Sequence, residues 1–299
     1  MADLAALHDR LRPLMFSVAY RMLGSVADAE DVVQEAFVRL HRAFAGEVID
    51  SPEAFATTVT TRLALDALRS ARRRREHYVG TWLPEPLVAA DPDPAHRQEL
   101  DDTVSVAFLA VLERLSPAER AVFLLREVFG YGYGEIAQVV GRNETACRQL
   151  MARARRHVAE ARPRYESSRR RRAELAEAFF AAARDGDLPA LERVLAEDVT
   201  FHADGGGRAP AIRAPLRGRV PVARFVRGLA RRAAPLGVRL EVTGGGGQPA
   251  AVLRGPDGAV LGVLGVDVAD GQITAVYNQI NPDKLGHLGP VGDMYALLG

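Results

Sequence analysis

Apolar residues recur three and four positions apart from Leu4 to about His77. The stretches "LHDRLRPLMFSVAYRML" and "DAEDVVQEAFVRLHRAF" both carry that spacing, which predicts helices with one apolar stripe. Gly24-Ser25 separates them, and Asp28, Glu30 and Asp31 suit the start of the second. A third helix is predicted over "SPEAFATTVTTRLALDALRSARRRR", opened by Ser-Pro-Glu and closed by arginines. From Tyr78 to about Pro94 the chain holds "WLPEP" and "DPDP", a proline density that argues for a linker. Trp82 lies inside it and is expected to pack on a domain rather than to hold a ligand. Helical spacing returns from about Arg97 to Arg162.

Beyond Arg172 the texture changes. "RAELAEAFFAAARDGDLPALERVLAEDVTFHADGG" predicts a long helix, a turn, a short helix and a strand, and "VPVARFVRGLARRAAPLG" another helix. The stretch from Val238 to Pro282 is rich in valine, leucine and isoleucine. It is punctuated by Gly-Gly, Pro-Asp-Gly and Asp-Gly, which predicts a meander of antiparallel strands. "GGGG" at Gly244 to Gly247 reads as a hairpin. The expected division is residues 1–77, a proline-rich linker 78–96, a second helical domain 97–162, a basic linker 163–172, and an α+β domain 173–299.

Composition narrows the classes. A chain of 299 residues with 48% hydrophobic content suits two or three folded domains. No apolar run is long enough to span a membrane, and the first residues lack the pattern of a signal peptide. Cys147 is the only cysteine, so no internal disulfide forms, and a cytoplasmic location is expected. The net charge of +1 hides clustering: "RSARRRR" at Arg69 to Arg75, and the arginines from Arg148 through Arg169 to Arg172. Such local positive density suits a polyphosphate backbone, and it also suits a solvated helix face.

The most specific stretch is "LSPAERAVFLLREVFGYGYGEIAQVVGRNETACRQLMARARRHV". Ser116-Pro117 opens a helix, "EIAQVV" is a short helix, "GRN" a tight turn and "ETACRQLMARARRHV" a second helix. Ile136, Ala137, Val140, Ala146 and Leu150 form the expected inward set of a helix-turn-helix. Asn143, Glu144, Cys147, Arg148 and Gln149 then fall at the N-terminal end of the second helix, where base edges are read. Arg148 and Gln149 suit guanine and adenine edges; Arg153, Arg155 and Arg156 suit phosphates.

On these motifs the two helical segments resemble the conserved domains of a sigma-70 family factor of the extracytoplasmic-function type, in the right order over roughly residues 4 to 160. The resemblance implies that Asp28, Asp31, Gln34 and Glu35 face the RNA polymerase core. It implies that the helix bearing Arg62, Arg69, Arg72, Arg73, Arg74 and Arg75 recognises and melts the −10 element of promoter DNA, while the helix-turn-helix reads the −35 element. A basic groove for single-stranded bases and a flexible tether between two DNA modules fit that role.

The third segment resembles the SnoaL-like, nuclear-transport-factor-like fold, in which a sheet and helices enclose a cone. Extracytoplasmic-function factors with this extension carry three short motifs. Here these read "WLPEP" (Trp82, Pro84), "DGGGR" (Asp204, Gly205, Gly206, Gly207, Arg208) and "NPDKL" (Asn281, Pro282, Asp283, Lys284). The group's glycine motif ends in lysine, and Arg208 stands in that place. "DGGGR" is no phosphate loop, because no Gly-Lys-Ser/Thr follows. His202 and Asp204 could form an acid/base pair or a solvated strand edge; a hinge and contact loop against the sigma domains is preferred. Asn-Pro-Asp opens a turn on physical grounds alone, so "NPDKL" reads either as a turn or as a docking element.

The fold class expected is therefore multidomain: two all-α sigma domains, the second a helix-turn-helix, then an α+β SnoaL-like cone. The function expected is promoter-specific initiation controlled by the C-terminal domain, with no enzyme activity, cofactor or metal. The rival reading is a metabolite-sensing DNA-binding regulator that does not bind polymerase. Phe179, Phe180, Phe201 and Phe225 could line a cavity for a small ligand or form a plain core.

Overall fold

A computed structural model describes residues 2–45, 49–75, 77–88, 105–159, 169–243 and 248–298; the side chains of 2–6, 72–74 and 169 lie outside that description. The described chain divides into two compact units. One gathers residues up to His77 and from Phe108 to Ala159; the other gathers 78–88, 105–107 and 169–298.

The first unit is helical: α1 (Ala2–Leu23), α2 (Val26–Phe44), α3 (Pro52–Arg75), α4 (Val106–Leu112) from Phe108 on, α5 (Pro117–Glu127), α6 (Tyr133–Val140) and α7 (Glu144–Ala159). Local chemistry sets the boundaries. Gly24 adopts φ +65° after α1, and Ser25 caps α2 by accepting from the Asp28 amide, so α2 starts two residues before the acids that announce it. Ser116 and Glu119 form a reciprocal capping box at α5, with Pro117 in the first turn. Gly141 at φ +67° ends α6 and turns the chain into α7. Leu11, Met15, Phe16 and Leu23 of α1 pack inward with Val33, Ala36 and Leu40 of α2.

Arg120 of α5 is the polar centre of this unit, with only 2% of its surface exposed. It donates twice to the Leu112 carbonyl, at 3.0 and 2.6 Å, and once to the Met22 carbonyl at 2.7 Å. It also lies 2.8 Å from the Glu113 carboxylate, which Arg75 of α3 meets from another side. Burial raises the Glu113 pKa, but the Arg120 and Arg75 charges more than offset that and hold it below the usual carboxylate value. One guanidinium thus satisfies carbonyls at the ends of α1 and α4.

The second unit is α+β. Helices α8 (Arg169–Asp185) and α9 (Leu188–Val194) lead into β1 (Leu195–Asp204) and a short β2 (Leu216–Arg217). Helix α10 (Arg219–Ala233) follows, then β3 (Arg239–Thr243), β4 (Ala250–Arg254), β5 (Val260–Ala269), β6 (Gln272–Gln279) and α11 (Met294–Leu298). The sheet order is β2-β1-β6-β5-β4-β3. The strands from β3 to β6 form the expected antiparallel meander, while β1 joins β6 in parallel. One sheet face packs Phe201, Val266 and Val276 against Phe179 and Phe180 of α8 and Val222 of α10. Val252, Val260 and Val263 instead cluster with Val88, Leu285 and Leu288. Strand alternation places Asp204 and Gln279, which are register partners, on the opposite face from Phe201.

Replacing Arg120 by methionine takes the guanidinium donor from the buried Met22 carbonyl, leaves the Leu112 carbonyl only the Leu115 amide, and removes a counter-charge from Glu113. A loss of about 3–5 kcal/mol is expected, measured as a lower urea midpoint in far-UV circular dichroism.

Candidate functional site

The second helix of the helix-turn-helix, α7, begins at Asn143, whose side-chain oxygen accepts from the Ala146 amide at 2.8 Å. That cap fixes the helix start and leaves Glu144, Arg148 and Gln149 exposed along its first turns. The Arg148 guanidinium is 2.8 Å from Glu144 and sits over the Tyr133 ring, 4.9 Å from its centroid. Arg153 pairs with Glu119 at 3.0 Å and Arg155 with Glu127 at 2.7 Å; Arg156 is exposed.

Cys147 does not belong with this exposed set. It is fully buried on the inward stripe with Leu150, Met151, Ala154 and Val158, and burial pushes its thiol pKa up. Positions 147, 150, 151, 154 and 158 follow the three-four spacing of a packed face, whereas 148 and 149 lie between those turns. Of the expected inward set, Ile136 and Leu150 are buried, while Ala137, Val140 and Ala146 are only half-buried; Val139 is buried instead.

The α3 arginines divide. Arg69 is exposed beside Asp66, at 2.9 Å. Arg62 reaches the C-terminal end of α6 and donates to the carbonyls of Gln138, at 2.8 Å, and Val139, at 3.2 Å. A cation suits a helix C-terminus, so Arg62 serves here as a clamp rather than a free DNA contact. Arg75 is likewise turned onto Glu113 and the Leu23 carbonyl. Arg72, Arg73 and Arg74 have side chains outside the described residues. Sequence reasoning missed Arg142, which lines a concavity with Arg69, Gln149, Arg153 and the Ser116 cap. Its signal was its place in the "GRN" turn beside the second helix of the helix-turn-helix. On α2, Asp31, Gln34 and Glu35 are exposed, Glu35 pairing with Arg39 at 2.8 Å, while Asp28 is half-buried beside the cap.

The three short motifs meet in the second unit. Residues 78–88 run without helix or strand, yet Leu83, Pro84, Glu85 and Val88 are buried, so this part of the proline-rich segment is pinned rather than a free tether. Its anchor is Lys284, 8% exposed, whose Nζ lies 2.7 Å from the Asp204 carboxylate and donates to the Leu83 carbonyl at 2.6 Å. The same ammonium lies 4.3 Å from the Trp82 ring centroid and 4.9 Å from that of Tyr78. Asp204 is fully buried and also accepts from the Tyr78 hydroxyl at 2.6 Å, the Leu83 amide at 2.8 Å and the Gln279 side chain at 3.2 Å. The Gln279 amide nitrogen reaches the Leu83 and Pro84 carbonyls as well. Burial, then the hydrogen bond to Asp204, pushes the Tyr78 pKa well above its usual value, so the hydroxyl remains a donor.

"DGGGR" is the surface that lets this happen. Gly206 has φ +55°, and a Cβ there would stand 2.2 Å from the Asn281 amide nitrogen and 2.9 Å from the Tyr78 hydroxyl. Within this unit the loop meets residues 78–83 on one side and residues 279–284 on the other. Arg208 remains exposed, 3.9 Å from Asp283, so the buried cation is Lys284 and not the motif's own base. "NPDKL" is both a turn and an anchor: Asn281 caps a single 3-10 turn, Pro282–Lys284, and donates to Tyr78 at 2.8 Å.

An acid/base pair does not form at His202 and Asp204. The aspartate has both oxygens engaged, and His202 stacks on Tyr277 with Nε2 3.0 Å from the Thr200 hydroxyl. Burial, then Arg217, lowers the His202 pKa. Among the described residues no group of three or more His, Cys, Asp or Glu side chains is arranged to hold a metal, and no helix is long and apolar enough to cross a membrane.

Comparison with known proteins defines the class. Residues 7–74 match Sigma-70 region 2, residues 105–158 match Sigma-70, region 4, and residues 176–276 match the SnoaL-like domain. This is a sigma-70-type initiation factor carrying a SnoaL-like domain. The chain is 41% identical over 287 residues to the ECF RNA polymerase sigma factor SigJ of Mycobacterium tuberculosis, covering 92% of this chain and 91% of that protein. It is 37% identical to the probable ECF RNA polymerase sigma factor SigI of the same organism, over 93% of each. The crystal structure of SigJ superposes with a TM-score of 0.74 at 36% identity, covering 93% of this chain and 96% of that one. The protein belongs to the extracytoplasmic-function sigma factor family.

Two outcomes follow from the polar cluster. Lys284→Met leaves Asp204 buried without a counter-charge and should destabilise the second unit by about 3–5 kcal/mol, whereas Arg208→Ala should change its melting by less than about 0.5 kcal/mol. Differential scanning calorimetry of the two variants decides this. Separately, burial pushes the fully enclosed Asp267 up to about 7, against the Tyr277 hydroxyl and Arg172, which lower it. The folded state therefore holds a proton that the unfolded chain releases near pH 4, and stability falls as pH rises from about 4 through 7. Asp267→Asn should flatten that slope, worth on the order of 4 kcal/mol, in melting curves from pH 4 to pH 8.

Proposed function

We propose that this sigma factor binds RNA polymerase core through the α2 face of Asp31, Gln34 and Glu35, and acts in the compartment that holds polymerase. Helix α7 reads the −35 element with Arg148 and Gln149, while Arg153, Arg155 and Arg156 meet phosphates. Helix α3 and its arginines engage the −10 element, Arg62 and Arg75 after release from their present partners. The C-terminal domain controls this activity without catalysing a reaction. The observation that carries the reading is the exposed, capped start of α7, where Arg148 and Gln149 are held outward while Cys147 and Leu150 turn inward. The control reading is supported by the buried cluster that binds residues 78–88, which follow α3, to the C-terminal domain. Both oxygens of Asp204, that domain's strand-end carboxylate, are taken up by partners inside the protein, which supports a non-enzymatic role.

The test is promoter-specific transcription with purified core polymerase. Arg148→Ala or Gln149→Ala should reduce specific transcripts about 5- to 100-fold, the range of one bidentate base contact. Arg156→Ala should weaken DNA binding alike on specific and unrelated sequences. Asp31→Arg with Glu35→Arg should abolish core binding. DNA binding by the full chain with neither core binding nor transcription would overturn the sigma reading in favour of a polymerase-independent regulator. Equal transcription by the wild type and by Lys284→Met, under conditions where the latter is folded, would overturn control through the 78–88 segment.

A further inference from the structure

The sheet face opposite Asp204 carries a cavity of about 430 Å³, within the range of pockets that enclose small organic ligands. Phe201, Leu264 and Leu253 form its floor, Leu229 of α10 a wall, and Met294 and Leu297 of α11 its rim. Of the four phenylalanines singled out in the sequence, only Phe201 lines it; Phe179 and Phe180 are core, and Phe225 packs edge-on against Phe201. Arg184 and Arg232, also at the lining, are exposed, so the interior offers no buried cation to an anionic group.

One residue does not suit a plain core. Asn278 of β6 lines the cavity, is 8% exposed, and its side-chain oxygen has no hydrogen-bond partner among the described residues. Its register neighbours on the same face are Ala203 and Leu264, which have no polar side-chain atom to give. A buried amide left unpaired costs about 1–3 kcal/mol. A water there would need two to four polar partners, roughly, and the apolar floor supplies little beyond Asn278. Among the described lining residues the arrangement is an apolar container with one buried side-chain oxygen left unpaired.

We propose that this cavity binds a small, mainly apolar molecule bearing one hydroxyl, which pairs with the Asn278 amide. A hydroxyl both donates and accepts, so it satisfies either end of the amide. The short helix α11 closes over the bound molecule through Met294 and Leu297. This deepens the regulatory reading above; the binding itself does not rest on that reading, and only its consequence for transcription does.

Isothermal titration of the full chain, without polymerase or DNA, tests the site with 2-naphthol and its methyl ether. The wild type should bind 2-naphthol at least tenfold more tightly than the ether. Asn278→Leu should erase that preference while leaving the ether within twofold, and should melt at a higher temperature than the wild type. Ala230→Trp, which fills the cavity from α10, should weaken both probes tenfold or more; Leu297→Trp does the same from the rim if the first variant does not fold. Binding of neither probe, equal affinity for both, or binding unaffected by either tryptophan overturns the proposal. So does a concentration-dependent dimer in sedimentation that the tryptophan variants abolish, which would assign the mouth to a second copy. Binding as expected, with no effect on transcription, supports the site and sinks its regulatory role.

Discussion

The second unit depends on the buried pair of Lys284 and Asp204. Two charges taken out of water are costly unless each is surrounded by partners. Here the carboxylate accepts from the Tyr78 hydroxyl, the Leu83 amide, the Gln279 side chain and the lysine, while the ammonium has a carbonyl and two aromatic faces. The completeness of that shell explains other choices. Residue 206 must be glycine because Asn281 and Tyr78 occupy the space of a side chain. An extended, proline-rich stretch has few backbone partners of its own, and the leucine between its tryptophan and first proline borrows both of its backbone groups' partners from this cluster.

Much of the fold was legible because it rests on local chemistry. The Ser116-Pro117 entry, the Gly24-Ser25 break and the "GRN" turn are where the sequence places them, since each acts within four residues; Asn143, expected only at a base edge, also caps its own helix. The division into a helical part and an α+β part was equally visible from periodicity. What was hidden is what a residue does with a distant partner. Cys147 looks like part of an exposed helix start until the stripe through Leu150, Met151 and Ala154 is laid beside it. Arg62 and Arg75 look like DNA-contacting arginines of one helix, yet one ends on carbonyls of α6 and the other on Glu113.

The polar cluster shows the same limit more sharply. The sequence yielded the three motifs but not their arithmetic. Arg208, which stands in the glycine motif, was the natural candidate for its charge, and the buried cation comes instead from Lys284, the only lysine in the chain. Tyr78 and Gln279 carried no signal at all, because a lone tyrosine before a proline-rich stretch and a glutamine at a strand end are unremarkable until folding brings them to one carboxylate. The two sides of the sheet are also one residue apart: Asn278 faces the cavity and Gln279 faces the ion pair, on consecutive positions of β6, as Ala203 and Asp204 are on β1.

The buried lysine and the segment it anchors are far apart in the order of synthesis. Leu83 and Lys284 are separated by 201 residues. At roughly 5–20 residues per second, the ribosome needs on the order of 10–40 s to make the lysine after the leucine has been made. Both sigma regions are complete well before then, region 4 matching only as far as residue 158. Every newly made copy therefore passes through an interval in which its promoter-reading parts exist and the anchor for residues 78–88 does not.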